Sequence, residues 1–175
     1  MSKVLDLGCG KNKIDIEGAI GIDIVGYPDV DVVMDLRMHK LPYPENDIDL
    51  VWARHFLEHL TFEENVFLFN EVYRILKVGG LFEILVPHGM SYSSMSDLSH
   101  KTFWTEDSFG HFTPDNKFHY EWGVVNQWKI VKNDQTPPYE YTTKGWVELK
   151  AREIHATLQK LPPHKDEADH NTANP

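Results

Sequence analysis

An apolar run that breaks into two glycines constrains the fold of this chain more than any other feature. Val4–Leu7 is typical of a buried strand, and Gly8-Cys9-Gly10 follows it directly. Glycine lets the backbone turn sharply and leaves no Cβ between the turn and a ligand. A second apolar run, Ala19–Ile22, ends in Asp23. A carboxylate there can accept hydrogen bonds from ribose hydroxyls, so the pattern predicts a nucleoside site.

Two classes of cofactor use such a turn, and the positions of the residues that follow it help to distinguish them. A dinucleotide fingerprint, G-x-G-x-x-G, has its third glycine where this chain has Lys13. Asp23 also follows the turn sooner than the roughly 20 residues typical of nicotinamide binders. The glycine turn by itself remains weak evidence for either class.

Further apolar runs extend the pattern into a sheet. Val30–Leu36, Asp47–Ala53 and Leu81–Val86 are each typical of a strand, and we expect a short first helix over Lys11–Glu17. Strands that alternate with helices predict right-handed crossovers and a parallel sheet. Gln127–Asn133 and Lys144–Lys150 are expected to form a closing antiparallel pair.

The longest helix has a clear beginning and end in the sequence. Thr61 and Glu64 have the spacing of a capping box. Gly79-Gly80 is expected to stop the helix. Between them, a stripe at helical spacing predicts core packing against the sheet. Its members are Phe62, Val66, Phe69, Tyr73 and Leu76.

Six motifs in register suggest a family. They are Leu5–Gly10, Gly21–Ile24, Asp35-Leu36, Leu41–Asp49, Leu57–Leu60 and Leu76–Gly80. In this order the chain resembles the class I S-adenosylmethionine-dependent methyltransferases, and most closely their type 11 methyltransferase domain. The resemblance implies an α/β, Rossmann-like fold: a mostly parallel sheet with a closing antiparallel strand pair and helices on both faces. It also implies S-adenosyl-L-methionine as the cofactor.

The resemblance implies donor contacts at the ends of the first four strands: Asp6, Gly8, Gly10, Asp23, Ile24, Asp35, Leu36, Trp52 and Ala53. Asp6 would lie near the methionine ammonium, Asp23 would bind the ribose hydroxyls, and Asp35 would meet the adenine amino group. Each acid could instead serve the fold, by capping a turn or by accepting from glycine-loop amides. Arg54 fits either an acceptor contact or an ion pair.

The loop after the fifth strand is the expected acceptor side, because open α/β sheets bind ligands beyond the carboxyl ends of their strands. We expect His100, oriented by Asp97, to take a proton from the acceptor, with His88 as the second candidate. The alternative is a loop held by hydrogen bonds and aromatic packing. The acceptor would offer an oxygen or nitrogen, and a small molecule or sugar-type metabolite fits best by elimination.

Besides a nicotinamide oxidoreductase, two rival functions remain. His55–His59 spells H-x-x-E-H, the inverted zinc-protease helix, which predicts zinc hydrolysis. It follows a methyltransferase-like fourth strand, so we expect no metal here. The second rival is a non-catalytic methyltransferase-like subunit that binds S-adenosylmethionine. Cys9, with no base nearby in sequence, fits a small buried filler better than a nucleophile.

Composition limits the setting. The 175 residues predict one domain over residues 1–160 and a disordered tail over residues 161–175. The net charge of −10 disfavours nucleic acid as a partner, and no apolar run would span a membrane. A single cysteine and no visible secretory signal predict a cytoplasmic protein. No helix precedes the first strand, so we expect residues 87–126, a partner subunit, a second copy or the acceptor to close the cleft.

Overall fold

A seven-stranded sheet organises the molecule. The computed structural model describes residues 2–116, 121–124, 127–136, 139–143 and 147–163. Its strands are β1 Val4–Leu7, β2 Ile20–Asp23, β3 Val32–Val33, β4 Ile48–Arg54, β5 Leu76–Pro87, β6 Trp128–Gln135, β7 Tyr139–Thr143, β8 Val147–Ala151 and β9 Glu153–Lys160. Its helices are α1 Phe62–Ile75 and α2 Tyr92–Ser96, with 3-10 turns at Leu57–His59 and Glu106–Phe112.

The strand order is β3-β2-β1-β4-β5-β9-β6. The chain first builds the sheet outward from β1 through β2 and β3, and then crosses to the other side of β1 to add β4, so the order of the strands reverses between β1 and β4. β1 pairs in parallel with β2 and β4, and β5 extends the parallel run, whereas β9 is antiparallel to both β5 and β6. This arrangement confirms the predicted fold class. The reversal also opens a crevice at the carboxyl ends of β1 and β4, the usual position of a ligand in such sheets.

Helix α1 covers one face of the sheet. Its capping box forms as predicted: the Thr61 amide donates to Glu64 Oε2 (2.7 Å), and the Glu64 amide donates to Thr61 Oγ1 (3.2 Å). Phe69 is fully buried, and its ring lies 5.3 Å from that of Phe82 on β5. Phe62, at the start of the stripe, is 40% exposed, so the buried stripe begins one turn later than predicted.

The predicted end of this helix is wrong. The helix stops at Ile75, and β5 begins at once with Leu76, so Gly79 and Gly80 lie inside a strand. Leu76 is fully buried and pairs with Ile48 of β4. Pairing with the sheet therefore ends the helix before the glycines are reached.

The predicted first helix, Lys11–Glu17, is also wrong, because this segment is irregular, with turns at both ends. Arg54 Nη2 donates to the Asn12 carbonyl (2.5 Å), and the Ile14 amide donates to Asp6 Oδ2 (2.7 Å). These tertiary bonds take backbone groups that a helix would need for itself. The segment lies against the buried carboxylate of Asp6.

The closing antiparallel pair exists, but its second strand was misplaced. β6 pairs with β9, whereas β8, which contains most of the predicted Lys144–Lys150, pairs with β7 in a separate two-stranded sheet. Residues 144–146 lie outside the described residues. The physical reason is the apolar alternation of β9, which buries Ile154, Ala156 and Leu158.

The predicted tail falls largely on residues 164–175, outside the described residues, so its disorder stays a prediction. Leu161 belongs to the fold: its amide donates to the Gln127 carbonyl (3.0 Å), and its carbonyl accepts from the Tyr73 hydroxyl (2.8 Å). Within the described ranges, none of the helices has the length and apolar character needed to cross a membrane.

The capping box gives a stability prediction. Thr61→Ala removes the hydroxyl that accepts from the Glu64 amide, so the free energy of unfolding should fall by about 1 kcal/mol. Thr61→Ser keeps the hydroxyl and should stay within about 0.5 kcal/mol of the parent. Urea denaturation measures both. Equal losses in the two variants would assign the effect to the threonine methyl group instead.

Candidate active site

A pocket of about 690 Å³ opens at the carboxyl ends of the parallel strands. Five of the residues predicted to contact a cofactor line it: Gly8, Asp23, Ile24, Asp35 and Leu36. They come from the turn after β1 and from the ends of β2 and β3. Strands distant in sequence thus bring these residues together, as the pattern predicted.

Gly8 is required by both its backbone angle and its neighbour. Its φ is +64°, a left-handed conformation that side chains disfavour. A Cβ at this position would lie 2.3 Å from Cγ of the Phe56 ring. The Gly8 and Cys9 amides both donate to the Ile22 carbonyl, at 2.8 and 3.3 Å. The turn is therefore fixed against β2 before any ligand binds.

Asp23 has its two carboxylate oxygens on two backbone amides. Gly10 N–H donates to Oδ2 and Val25 N–H donates to Oδ1, both at 2.9 Å. The second bond is the turn-capping contact that was the alternative to ribose binding for this residue. Because the same side chain lines the pocket, Asp23 combines the cap with a position from which a hydroxyl can be bound. Gly10 itself does not line the pocket but holds this carboxylate.

Asp35 is paired before any ligand arrives. The Arg37 guanidinium binds both of its oxygens, with Nε at 2.8 Å from Oδ1 and Nη2 at 2.7 Å from Oδ2. The Arg37 amide adds a bond to Oδ1 at 3.0 Å. These bonds hold the pKa of Asp35 well below its usual range. Leu36 beside it is buried and supplies an apolar wall.

Asp6 lies beneath the glycine turn, fully buried, and does not line the pocket. Its Oδ2 accepts from the Ile14 amide and, at 3.3 Å, from Arg54 Nη2. Burial raises the pKa of the Asp6 carboxyl despite these two bonds. Oδ1 is buried and has no hydrogen-bond partner within the described part of the chain. Arg54 is thus an ion-pair residue, the second of its two interpretations.

Trp52 and Ala53 do not line the pocket, which corrects their predicted placement. Ala53 is fully buried between β1 and β5. The side chain of Trp52 points to the sheet face opposite that of Ala53, and its ring lies 5.7 Å from the His155 ring. β4 continues to Arg54, and His55 turns left-handed with φ +49°. His55 and Phe56 therefore line the pocket instead. The rule that ligands bind beyond strand ends would have found them.

An adjoining pocket of about 300 Å³ lies on the expected acceptor side and shares His55 and His59 with the first. Asp97 and His100 line it. Glu58 is the main cause that raises the pKa of His55, whose Nδ1 lies 3.5 Å from Oε1 of Glu58. The two pockets thus meet at a row of imidazoles.

His100 is in the predicted place, but Asp97 does not orient it. His100 Nδ1 donates to the Ser94 carbonyl at 2.8 Å, whereas Asp97 Oδ2 lies 3.8 Å from Nε2, too far for a hydrogen bond. The other Asp97 oxygen, Oδ1, accepts from the Ser99 hydroxyl at 2.6 Å. The loop carbonyl of Ser94 therefore takes the orienting role that was predicted for Asp97.

His88 does not line either pocket. Its ring is buried, Nδ1 accepts from the Met90 amide at 3.1 Å, and Nε2 lies 3.4 Å from Glu106. These contacts tie the loop after β5 to the 3-10 turn at Glu106–Phe112. The second candidate for a proton acceptor therefore lies outside both pockets.

The inverted zinc-protease helix does not form. Leu57–His59 is a single 3-10 turn, and His55 precedes it in the left-handed region, so the two histidines do not share a helix face. Cys9 is buried with its sulfur packed toward Gly21. Burial, with smaller contributions from the charges of Asp6 and Asp23, raises the pKa of the Cys9 thiol to about 11. A thiol that stays protonated is a filler, as predicted.

The comparisons with known proteins agree with this geometry. The profile of a methyltransferase domain family matches residues 5–84, a little under half of the chain, and covers the glycine turn and the strand ends described above. Residues 5–84 match a methyltransferase domain. No curated protein sequence matches it.

Solved structures share the fold over almost the whole chain. A methyltransferase of Methanosarcina mazei dependent on S-adenosylmethionine has a TM-score of 0.57 at 15% identity, covering 91% of this chain and 92% of its own. The 1,6-didemethyltoxoflavin-N1-methyltransferase of Burkholderia thailandensis was solved with 1,6-didemethyltoxoflavin and S-adenosylhomocysteine bound. It has a TM-score of 0.59 at 15% identity, covering 92% of this chain and 72% of its own. A chain from the complex between the Haloferax volcanii Trm112 methyltransferase activator and a methyltransferase has a TM-score of 0.60 at 17% identity, covering 93% of this chain and 83% of its own.

The Gly8 turn gives a second stability prediction. Gly8→Ala adds backbone strain and a clash with Phe56, so the free energy of unfolding should fall by about 2–4 kcal/mol. Gly18→Ala is the matched control. Gly18 also has a positive φ, +77°, but nothing lies within 4 Å of an added Cβ, so only about 1–2 kcal/mol should be lost. Urea denaturation compares them, and equal losses would refute the clash.

Proposed function

We propose that this chain binds S-adenosyl-L-methionine in the larger pocket and transfers its methyl group to an oxygen or nitrogen of a small molecule in the adjoining pocket. One observation carries the proposal: the two pockets meet at His55 and His59, at the carboxyl ends of the parallel strands. Donor and acceptor sites that share a wall allow the in-line approach that methyl transfer needs.

The residues present fit the donor. Asp6 does not line the pocket, but one oxygen of its buried carboxylate lacks a partner among the described residues, and a carboxylate beneath the turn attracts the methionine ammonium. Gly8 leaves the turn open to close approach, and Asp23 and Asp35 stand at successive strand ends for the ribose and the base. When bound, the cofactor supplies a methyl group on a positively charged sulfur.

The chain's own residues then position the acceptor and receive its proton. His100 donates through Nδ1 to a carbonyl, so Nε2 keeps its lone pair and can accept a proton. The sulfur leaving group needs no proton, so orientation supplies most of what the protein contributes.

The acceptor pocket supports a small molecule. A volume of about 300 Å³ is at the lower end of the range for small-ligand sites. The net charge of −10 would repel a phosphate backbone. The Burkholderia neighbour, bound to 1,6-didemethyltoxoflavin, is consistent with an acceptor of this size. The single cysteine supports a cytoplasmic location.

A second candidate is a methyltransferase-like subunit that holds the cofactor for a partner without turnover. The Haloferax neighbour comes from a complex between a methyltransferase activator and a methyltransferase, so a chain with this fold can act together with a second subunit. A partner subunit or a second copy could also close the open cleft of an active enzyme. Formation of S-adenosylhomocysteine with any acceptor, measured in a screen with labelled donor, excludes the non-catalytic role.

Binding to the donor pocket is tested at Asp23. Asp23→Ala should weaken S-adenosylhomocysteine binding by about 1.5–3 kcal/mol, because a charge-assisted hydrogen bond to a ribose hydroxyl is lost. Asp29→Ala removes the same charge from an exposed site outside the pocket and should leave binding unchanged. Calorimetry measures both, with NAD as a ligand that should not bind. Unchanged affinity in a folded Asp23→Ala would overturn the ribose role.

The acceptor side is tested at His100. His100→Ala should lower turnover by roughly 10²–10⁴-fold while S-adenosylhomocysteine still binds normally. His111→Ala changes an exposed histidine outside both pockets and should leave turnover unchanged. Turnover and affinity are measured on the same preparations, with the acceptor found by the screen. Parallel loss of both in His100→Ala would make this histidine a structural residue.

A further inference from the structure

Three side chains at the border of the two pockets form a cluster that the donor site does not use. Glu58, His59 and His100 each present one atom capable of binding a metal, and these atoms all lie within 4.8 Å of one another. We call this set the Glu-His-His cluster. The imidazoles meet edge to face, with ring centroids 4.8 Å apart. All three side chains line the acceptor pocket, and His59 also lines the donor pocket.

The carboxylate of Glu58 is buried, and one of its oxygens lacks a hydrogen-bond partner among the described residues. Its side chain is only 1% exposed, and Oε2 is buried with no hydrogen-bond partner in the described part of the chain. The other oxygen, Oε1, faces His55 Nδ1 at 3.5 Å. Burial of a carboxylate oxygen without a donor is costly unless a cation approaches it. The orphaned oxygen is therefore evidence for a ligand, independent of the cluster's composition.

The two histidines are oriented to offer lone pairs. His100 Nδ1 donates to the Ser94 carbonyl, which can only accept, so Nε2 is unprotonated in the neutral ring. The Ser99 hydroxyl donates its single hydrogen to Asp97 at 2.6 Å, so it accepts from His59 Nδ1 at 3.0 Å. Nε2 of His59 is then unprotonated as well. Hydrogen bonds from the far nitrogen to a carbonyl or toward a carboxylate are typical of metal-binding histidines.

We infer that the Glu-His-His cluster binds a divalent transition-metal cation, which in turn holds a hydroxyl group of the acceptor. The inference rests on the proposed methyl transfer and deepens it, because it assigns the acceptor to the hydroxyl compounds. Two imidazoles and one carboxylate leave coordination positions open for a substrate oxygen. The ligand set favours Mn²⁺, Co²⁺ or Zn²⁺ over Mg²⁺, which prefers oxygen ligands alone. From the sequence of residues 55–59, no metal was expected here.

The cation would change how the acceptor loses its proton. A hydroxyl bound to a divalent cation has a lowered pKa, so its proton passes to solvent. The oxygen electron pair then forms the new bond to the methyl carbon. The electrons of the broken sulfur–carbon bond stay on sulfur, which becomes the neutral thioether of S-adenosylhomocysteine. His100 acts as a ligand in this scheme and not as a base, because its Nε2 lone pair is already used.

Direct metal binding tests the inference. Protein stripped with a chelator is titrated with Co²⁺, Zn²⁺, Mn²⁺ and Mg²⁺ by calorimetry, and the visible absorption of bound Co²⁺ is recorded. We expect one equivalent of Co²⁺, Zn²⁺ or Mn²⁺ to bind more tightly than Mg²⁺. His59→Ala and Glu58→Gln should each weaken this binding by more than about 10-fold, because each removes a ligand. His111→Ala, which alters an exposed histidine outside the cluster, should bind metal like the parent.

Thermal unfolding of each variant identifies any that fail to fold. His59 is partly exposed and gives a second variant beside the buried Glu58. Absence of one-equivalent binding, or equal binding by the parent and a folded His59→Ala, overturns the metal site. Full turnover in the presence of chelator overturns it too, and leaves His100 as the base. Loss of turnover on stripping, restored by Mn²⁺, Co²⁺ or Zn²⁺, supports the site.

The same stripped protein is titrated with S-adenosylhomocysteine. Binding of this nucleoside without any metal binding overturns the inference and retains the proposed donor site. Failure to bind it in folded protein overturns the proposed function itself, whatever the metal result.

Discussion

Two hydrogen bonds to one carbonyl hold the site together. The amides of Gly8 and Cys9 both donate to the Ile22 carbonyl and so join the turn after β1 to the end of β2. This junction lies beside the point where the strand order reverses, and it places Asp23 against the turn. The crevice, the pocket of about 690 Å³ and the approach of Phe56 to Gly8 all depend on that fixed position.

The sequence predicts five of the residues that line the pocket because their signals are local. A strand followed at once by glycines, or ended by an acid, specifies both an element and a ligand position within a few residues. Asp23 and Asp35 therefore lie where the pattern put them. The capping box at Thr61 forms for the same reason, since its two bonds join residues three apart.

The errors arise where distant residues decide the structure. The backbone of residues 11–17 bonds to Arg54 and Asp6 and so forms no helix, and the β4–β5 pairing ends α1 at Ile75. On the acceptor side, the Ser94 carbonyl orients His100, although Asp97 has the more suggestive spacing. A backbone carbonyl that accepts a hydrogen bond cannot be identified from the sequence, because every residue has one. Positions such as His55 were missed because a left-handed turn after β4 changed the direction of the chain.

In the proposed donor site, the pairing of Asp35 with Arg37 would affect how the pocket distinguishes one purine from another. Oδ1 already accepts two hydrogen bonds and Oδ2 accepts one, so the carboxylate retains a single lone pair for an exocyclic amine. Its charge is also neutralised in advance by its own chain. Attraction at this end of the pocket should therefore change little with ionic strength. Selection of the base then depends on one directional contact and on the fit against Leu36, not on a long-range field.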